Sequence, residues 1–203
     1  MKTSILSSCS SALILAAGLF AATFPAAGQS VLININQANL AAVQFTAVGN
    51  NSFANSTVNN LFGVDLISYF SSAPSAVAGT VTGTLIPAGT SSAYNQWFPD
   101  NLTVGSNVDL NLYAGSAQSQ TFTTSGVALT GTAVINLSAL VANLRSTGAT
   151  GNVYSGDIRS PGTLIGTWVV VPEPSVEAQV ALGAMLLAGM AFIRRSRRVA
   201  ARQ

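Results

Sequence analysis

The stretch NVDLNLY (107–113) alternates strictly, with its Val and Leu side chains on one face and Asp109, Asn111 and Tyr113 on the other. A period of two is the pattern of a β-strand, whose successive side chains point to opposite faces of a sheet. The stretch therefore predicts a strand that covers a core with one face and meets water with the other. On this interpretation the aspartates of the chain lie on solvated strand faces or in turns.

Four further stretches carry strand signals. VLININ (31–36) alternates, and GTVTGTLI (79–86), GVALTGTAVINL (126–137) and TLIGTWVVV (163–171) are rich in Thr and Val. Clusters of Gly, Pro, Asn and Ser lie between them and mark turns. Many short strands separated by turns predict that region 29–171 is a mainly β domain, either an antiparallel β-sandwich or a barrel-like sheet.

Two segments fit the strand pattern less well. LSALVANLR (137–145) carries Leu and Val at helical spacing and predicts a helix, whereas VNNLFGVDLISYF (58–70) stays open between helix and strand. Three short echoes, VTGTL (81–85), LTGTA (129–133) and LIGTW (164–168), share no common period. They predict bends at glycines inside three strands rather than repeats.

Charge is scarce in this chain. Only 7% of the 203 residues are charged, against about 25% in an ordinary soluble domain. Residues 29 to 171 contain two cations, Arg145 and Arg159, and four anions, which gives a net charge of −2. No basic surface is available to neutralise phosphates, so no nucleic-acid partner is expected. The four anions are Asp65, Asp100, Asp109 and Asp157.

Catalytic side chains are scarce as well. The chain has no His, and its one Cys and one Lys are Cys9 and Lys2, which excludes Ser-His-Asp, Cys-His and Ser-Lys catalysis within the domain. The sequence therefore predicts a protein that is not an enzyme, with no cofactor and no residue assigned to a metal. A glycosidase using an Asp pair ranks last among the alternatives. Structural calcium stays open, because Asp109 and Asn111 share a strand face although no Asp-x-Asp-x-Asp loop occurs.

One stretch, YNQWFPDN (94–101), brings three aromatic side chains together with polar amides. If the rings of Tyr94, Trp97 and Phe98 were exposed, they would form a sugar-stacking platform, and the domain would be a carbohydrate-binding module. If they were buried, they would close one end of the core. The buried interpretation is the stronger of the two, because nothing in the sequence shows that the rings are exposed.

The N-terminal segment has the parts of a secretory signal peptide. Lys2 precedes an apolar run from Ala12 to Ala22, and small residues follow at Ala26 and Gly28. This order predicts export with cleavage after Gly28, so that residues 1–28 are removed. The exported chain would then have no cysteine and could form no disulfide.

The C-terminal segment 172–203 begins with Pro172, which has no N–H to donate and is expected to end the ladder of the last strand. Residues 180–193 follow without a charge or an amide. They predict a short membrane helix, although a full span takes about 20 residues. A cluster of arginines comes next and would stay on the cytoplasmic side. The cluster consists of Arg194, Arg195, Arg197 and Arg198.

The order of Pro172-Glu173-Pro174, spacer, apolar segment and arginine cluster closely resembles the PEP-CTERM sorting signal of Gram-negative bacteria that make extracellular polysaccharide. The resemblance covers the chain from Val171 to its end. It implies that an exosortase, a membrane-embedded cysteine protease-transpeptidase, processes the chain near Pro172-Glu173-Pro174. The protein would pass through an inner-membrane-anchored intermediate and then reach the cell surface or the extracellular space.

Together these features predict an exported, non-enzymatic protein of the cell surface or extracellular matrix, associated with exopolysaccharide and biofilm. Its partners would be the exosortase, the membrane during sorting, and exopolysaccharide. The alternatives are the carbohydrate-binding module and, last, the glycosidase.

Overall fold

The computed structural model describes residues 30–75, 78–102 and 108–172. The predicted signal peptide (1–28) and the predicted apolar helix (180–193) lie outside these residues. Within the described part of the chain, no helix is long and apolar enough to cross a membrane.

The described residues form fourteen β-strands and two short 3₁₀ helices, so the prediction of a mainly β domain is confirmed. The 3₁₀ helices are Leu40–Ala42 and Ser138–Asn143. The strands are β1 (Val31–Asn36), β2 (Val43–Ala47), β3 (Ser56–Asn59), β4 (Val64–Leu66), β5 (Gly79–Thr80), β6 (Thr82–Gly83), β7 (Ile86–Pro87), β8 (Gln96–Asp100), β9 (Asp109–Tyr113), β10 (Ser119–Phe122), β11 (Leu129–Thr130), β12 (Thr132–Ile135), β13 (Thr150–Asp157) and β14 (Ser160–Val170).

Ten strands form one sheet in the order β5-β8-β9-β4-β13-β14-β1-β2-β12-β6. The two edge strands are consecutive in the chain, because only the buried Val81 separates Thr80 of β5 from Thr82 of β6. One short segment thus pairs with β8 on one side and with β12 on the other. The sheet therefore curls into a nearly closed barrel, which removes most of its exposed edge.

Two glycines allow the chain to leave the large sheet beside this closure. Gly83 and Gly131 have φ angles of 113° and 83°. A Cβ on Gly83 would lie 2.2 Å from the carbonyl oxygen of Thr132, and one on Gly131 would lie 2.0 Å from that of Thr84. Beyond these bends the two segments pair again as β7 and β11 in a small separate sheet. The bends predicted for the Gly-Thr echoes are confirmed at these two positions.

The first and last strands of the domain lie side by side in parallel, with Ile33 of β1 opposite Trp168 of β14. All other strand pairs among the described residues are antiparallel. The N–H of Val171 still donates to the carbonyl of Ile35 at 2.9 Å, and the next residue is Pro172. The ladder thus ends where the sequence predicted.

Aromatic side chains fill the core. Tyr69 contacts Phe45, Phe70 and Trp168, with ring centroids 4.9–5.7 Å apart. All four side chains are fully buried. The indole N–H of Trp168 donates to the carbonyl of Ile67 at 3.1 Å, so the largest core side chain keeps no unpaired polar group.

The helix predicted at 137–145 is wrong as an α-helix. The segment Ser138–Asn143 is 3₁₀, with a kink at Leu140, and of its residues only Leu140 is buried. Apolar residues at helical spacing here meet too little core to hold a longer helix. The open segment 58–70 contains the end of β3 and the whole of β4, so its strand interpretation is the correct one.

Candidate functional site

The polar face of β9 is the centre of an unusual site. Asp65 of β4 lies directly opposite Asn111, and Asp100 of β8 lies directly opposite Asp109. These residues share the face that points away from the barrel core, because Leu110 and Leu112 point to the other side. Even so, all four are buried, with at most 2% of any of them exposed. The prediction that these aspartates are solvated is therefore wrong.

A turn of the neighbouring hairpin covers this face. The chain between β13 and β14 folds back so that the N–H of Ile158 donates to Asp100 Oδ2 at 3.0 Å. The Arg159 guanidinium lies between the rings of Phe62 and Phe98, 5.4 and 5.5 Å from their centroids, and Nη2 donates to the carbonyl of Leu61 at 3.1 Å. Burial of the polar face thus depends on a segment about fifty residues distant in sequence from β9.

The same turn adds the fourth aspartate of the domain. Asp157 is fully buried and accepts hydrogen bonds from the backbone N–H groups of Arg159 and Ser160 at 2.8 and 3.2 Å. Its other oxygen pairs with the Arg159 guanidinium, which raises the pKa of Arg159. We call Asp65, Asp100, Asp109 and Asp157 the acidic cluster; it contains every acidic side chain among the described residues.

Two further members of the acidic cluster accept backbone hydrogen bonds. Asp100 Oδ1 accepts from the N–H of Asn101 at 2.8 Å, and Asp109 Oδ1 accepts from the N–H of Ser68 at 2.6 Å. Burial raises the pKa of Asp100, while its bonds from Ile158 and Asn101 oppose that rise. These donors hold both carboxylates in place.

Ser68 connects the acidic cluster to Arg145. It is the one described non-glycine residue with a positive φ, 54°. Its N–H binds Asp109 and its carbonyl accepts from Arg145 Nε at 2.6 Å. Contacts on both sides of the residue therefore stabilise a backbone conformation that serine rarely adopts.

Asp65 differs from the other three aspartates. Neither of its carboxylate oxygens has a hydrogen-bond donor, although both are buried. Burial, and then the charges of Asp100, Asp109 and Asp157, raise the pKa of Asp65 to about 9. At neutral pH, and with no cation bound beside it, the Asp65 side chain is therefore protonated and neutral.

Asn111 carries the next unpaired oxygen. Its Nδ2 donates to the carbonyls of Phe62, Val64 and Gly156 at 2.9, 3.3 and 3.4 Å. Three carbonyls around the nitrogen determine which way the amide points. Its Oδ1 is buried and has no partner. Three of the four unpaired buried side-chain atoms in the described chain are thus oxygens of the facing residues Asp65 and Asn111.

The aromatic residues predicted as a sugar platform lie elsewhere. Tyr94 and Trp97 are 1% and 5% exposed and belong to the core, and the Tyr94 hydroxyl donates to Gln120 Oε1 at 2.7 Å. Phe98 is half-buried and packs edge-on against Tyr113, 5.4 Å between centroids. Two of the three rings are therefore unable to stack on a sugar, and the core interpretation describes them.

An open groove of about 630 Å³ lies where the chain leaves the barrel. Val171 and exposed Pro172 form part of its wall, together with Leu144 and Arg145. Pro172 is the one residue of the predicted sorting motif that the structure describes. Glu173, Pro174 and the arginines at 194, 195, 197 and 198 lie outside the described residues.

The acidic cluster lacks the geometry of a glycosidase. A glycan must reach both carboxyl groups, which lie about 5 Å or more apart in such enzymes. Here the carboxyl groups are all buried, so a glycan does not reach them. Within the described residues, no three acidic, His or Cys side chains are grouped as a ready-made metal site.

Comparison of the chain with protein-family models, curated proteins and solved structures found no match. The sequence signals and the geometry of this domain are therefore what indicate its function.

The acidic cluster could not be located from the sequence, although one signal pointed to it. Asp109 and Asn111 alternate with Leu110 and Leu112, which placed both polar side chains on one face. Nothing local showed that a distant hairpin turn covers this face.

Proposed function

We propose that this chain is an exported, non-enzymatic protein of the cell surface or extracellular matrix that an exosortase sorts through Pro172-Glu173-Pro174. The observation that carries the proposal is the order of parts in the C-terminal segment 172–203. The end of the barrel at Val171 supports it, because the predicted motif begins at the first residue beyond the last backbone hydrogen bond of the described chain.

The surface of the domain supports an association with exopolysaccharide. All four aspartates are buried, so the exposed charged side chains of the described residues are those of Arg145 and Arg159. The remaining polar surface consists of hydroxyl and amide groups, which exchange hydrogen bonds with sugar hydroxyls. A surface without exposed carboxylates would not repel an anionic polysaccharide.

Processing is tested in the native host. Pro172, Glu173 and Pro174 are replaced by alanine together, and Glu177→Ala in the spacer is the matched control. We expect mass spectrometry of surface or medium protein to find wild type and the control without Arg202 and Gln203, and the triple variant to remain full length in the membrane fraction. Wild-type surface protein that still carries Arg202 and Gln203 would refute the sorting proposal.

The association with exopolysaccharide needs a separate measurement. The matrix fraction of the host is washed and probed for the protein, with a strain unable to make the polysaccharide as control. We expect the protein in the matrix of the producing strain and in the medium of the other. An equal distribution in both strains would leave sorting intact but contradict the association.

A further inference from the structure

The acidic cluster contains more buried negative charge than its surroundings neutralise. Among the described residues, the one cationic side chain that touches it, Arg159, pairs with Asp157. Buried charges in proteins are paired, protonated or bound to metal ions. Asp65 receives no hydrogen bond, and Oδ1 of the facing Asn111 receives none either. These three unpaired oxygens are all hydrogen-bond acceptors, so the site needs a positive charge or hydrogen-bond donors.

Protonation of Asp65 satisfies only part of this need. A proton on Asp65 turns one of its oxygens into a donor, and it leaves the second Asp65 oxygen and Asn111 Oδ1 without partners. A hard divalent cation between the facing residues Asp65 and Asn111 would supply a partner for these oxygens and add two positive charges. The fixed amide of Asn111, whose nitrogen faces three carbonyls, presents its oxygen without any rearrangement.

We infer that one calcium ion binds between β4, β8 and β9, with the carboxylates of Asp65 and Asp100 and the side-chain oxygen of Asn111 as protein ligands. Calcium accepts six to eight oxygen ligands in irregular geometry, whereas magnesium requires a near-ideal octahedron and holds its water tightly. Two carboxylates and one amide suit the larger ion, with water as the remaining ligands. Asp109 faces Asp100 across the strand pair and contributes its charge.

The ion would join β4, β8 and β9 on the face opposite to the core. Its role is thus structural, and it would stabilise the part of the barrel that the turn at 157–160 covers. This inference does not depend on the sorting proposal, since the ligands all lie inside the barrel domain.

The test uses the purified full-length protein, freed of metal with a chelator and then titrated with calcium chloride or magnesium chloride. We expect one calcium per chain by calorimetry. At calcium a hundredfold above Kd, the melting temperature should rise by about 5 to 10 °C. Absence of both effects would overturn the inference and leave a proton or water in the site. An equal or larger magnesium effect would overturn the assignment to calcium.

Two variants with the same chemical change locate the ion. Asp65→Asn should abolish the calcium shift, whereas Asp157→Asn should retain it, because Asp157 already has Arg159 as its partner. Loss of the shift in both variants, or in neither, would contradict the ligand assignment. If Asp65→Asn fails to fold, terbium luminescence sensitised by the domain's Tyr and Trp side chains tests the wild-type site. Calcium should displace terbium, and no displacement would overturn the inference.

Discussion

The stability of the metal-free protein should fall as the pH rises, and Asp65 is the cause. In the unfolded chain an aspartate ionises near pH 3.9, to within about a unit. In the fold, burial and three neighbouring aspartates raise the pKa of Asp65 to about 9. The folded state therefore holds a proton that the unfolded state has lost throughout this interval. Stability is greatest below the unfolded pKa and is lost as the pH rises through the folded one.

The magnitude follows from the linkage between protonation and folding. A difference of one bound proton changes the free energy of unfolding by about 1.4 kcal/mol per pH unit. Between pH 5 and pH 8 the loss is at most about 4 kcal/mol. For a domain of this size that corresponds to a fall in melting temperature of roughly 10 °C.

The assay is thermal unfolding of the full-length protein in a chelator at pH 5, 6, 7 and 8 and at constant ionic strength. Asp65→Asn is the control, since asparagine keeps the shape of the side chain and has no titrating proton. We expect the wild type to lose stability with pH and the variant to lose much less. A wild-type melting temperature that is constant or rises between pH 5 and pH 8 would refute the reasoning, as would an equal slope in the variant.

Three further predictions concern other parts of the chain. Gly131→Ala should lower the free energy of unfolding by at least about 2 kcal/mol, because its Cβ would meet a backbone oxygen at 2.0 Å. Gly49 has a similar φ of 82° but lies beside open space, so Gly49→Ala should lower it by only about 1 kcal/mol. Equal losses in denaturant melts would contradict this account of barrel closure. Arg159→Met should lower the free energy of unfolding by about 1 to 2 kcal/mol at pH 7 in the same assay. The buried Asp157 carboxylate loses its ion-pair partner but keeps the two backbone N–H donors of residues 159 and 160. An unchanged denaturant midpoint would show that the Asp157–Arg159 pair contributes nothing to the stability of the fold. Insertion of Gly-Ser-Gly-Ser between residues 171 and 172 should speed processing in the host, measured by pulse-chase, because the barrel's last hydrogen bond lies one residue before the motif. Slower processing would contradict the steric argument.

Much of the fold could be predicted from local pattern. The alternation in NVDLNLY and VLININ specified strands, because a period of two is the geometry of the strand itself. The end of the last ladder at Pro172 followed from the missing N–H of proline. The predicted helix at 137–145 failed because helical spacing does not make an α-helix without a core face to bury it.

The sequence by itself determined several strands, the turn-rich connections and the scarcity of charge, and it predicted the two terminal signals, since each depends on residues close together in the chain. Only the tertiary structure decided that the segment around Val81 closes the barrel and that β1 and β14 are parallel, because both depend on distant strands meeting. It also decided that Tyr94 and Trp97 are buried. The acidic cluster was likewise decided only by the tertiary structure. Asp65, Asp100 and Asp109 meet through strand register, and the turn that carries Asp157 and Arg159 removes them from water.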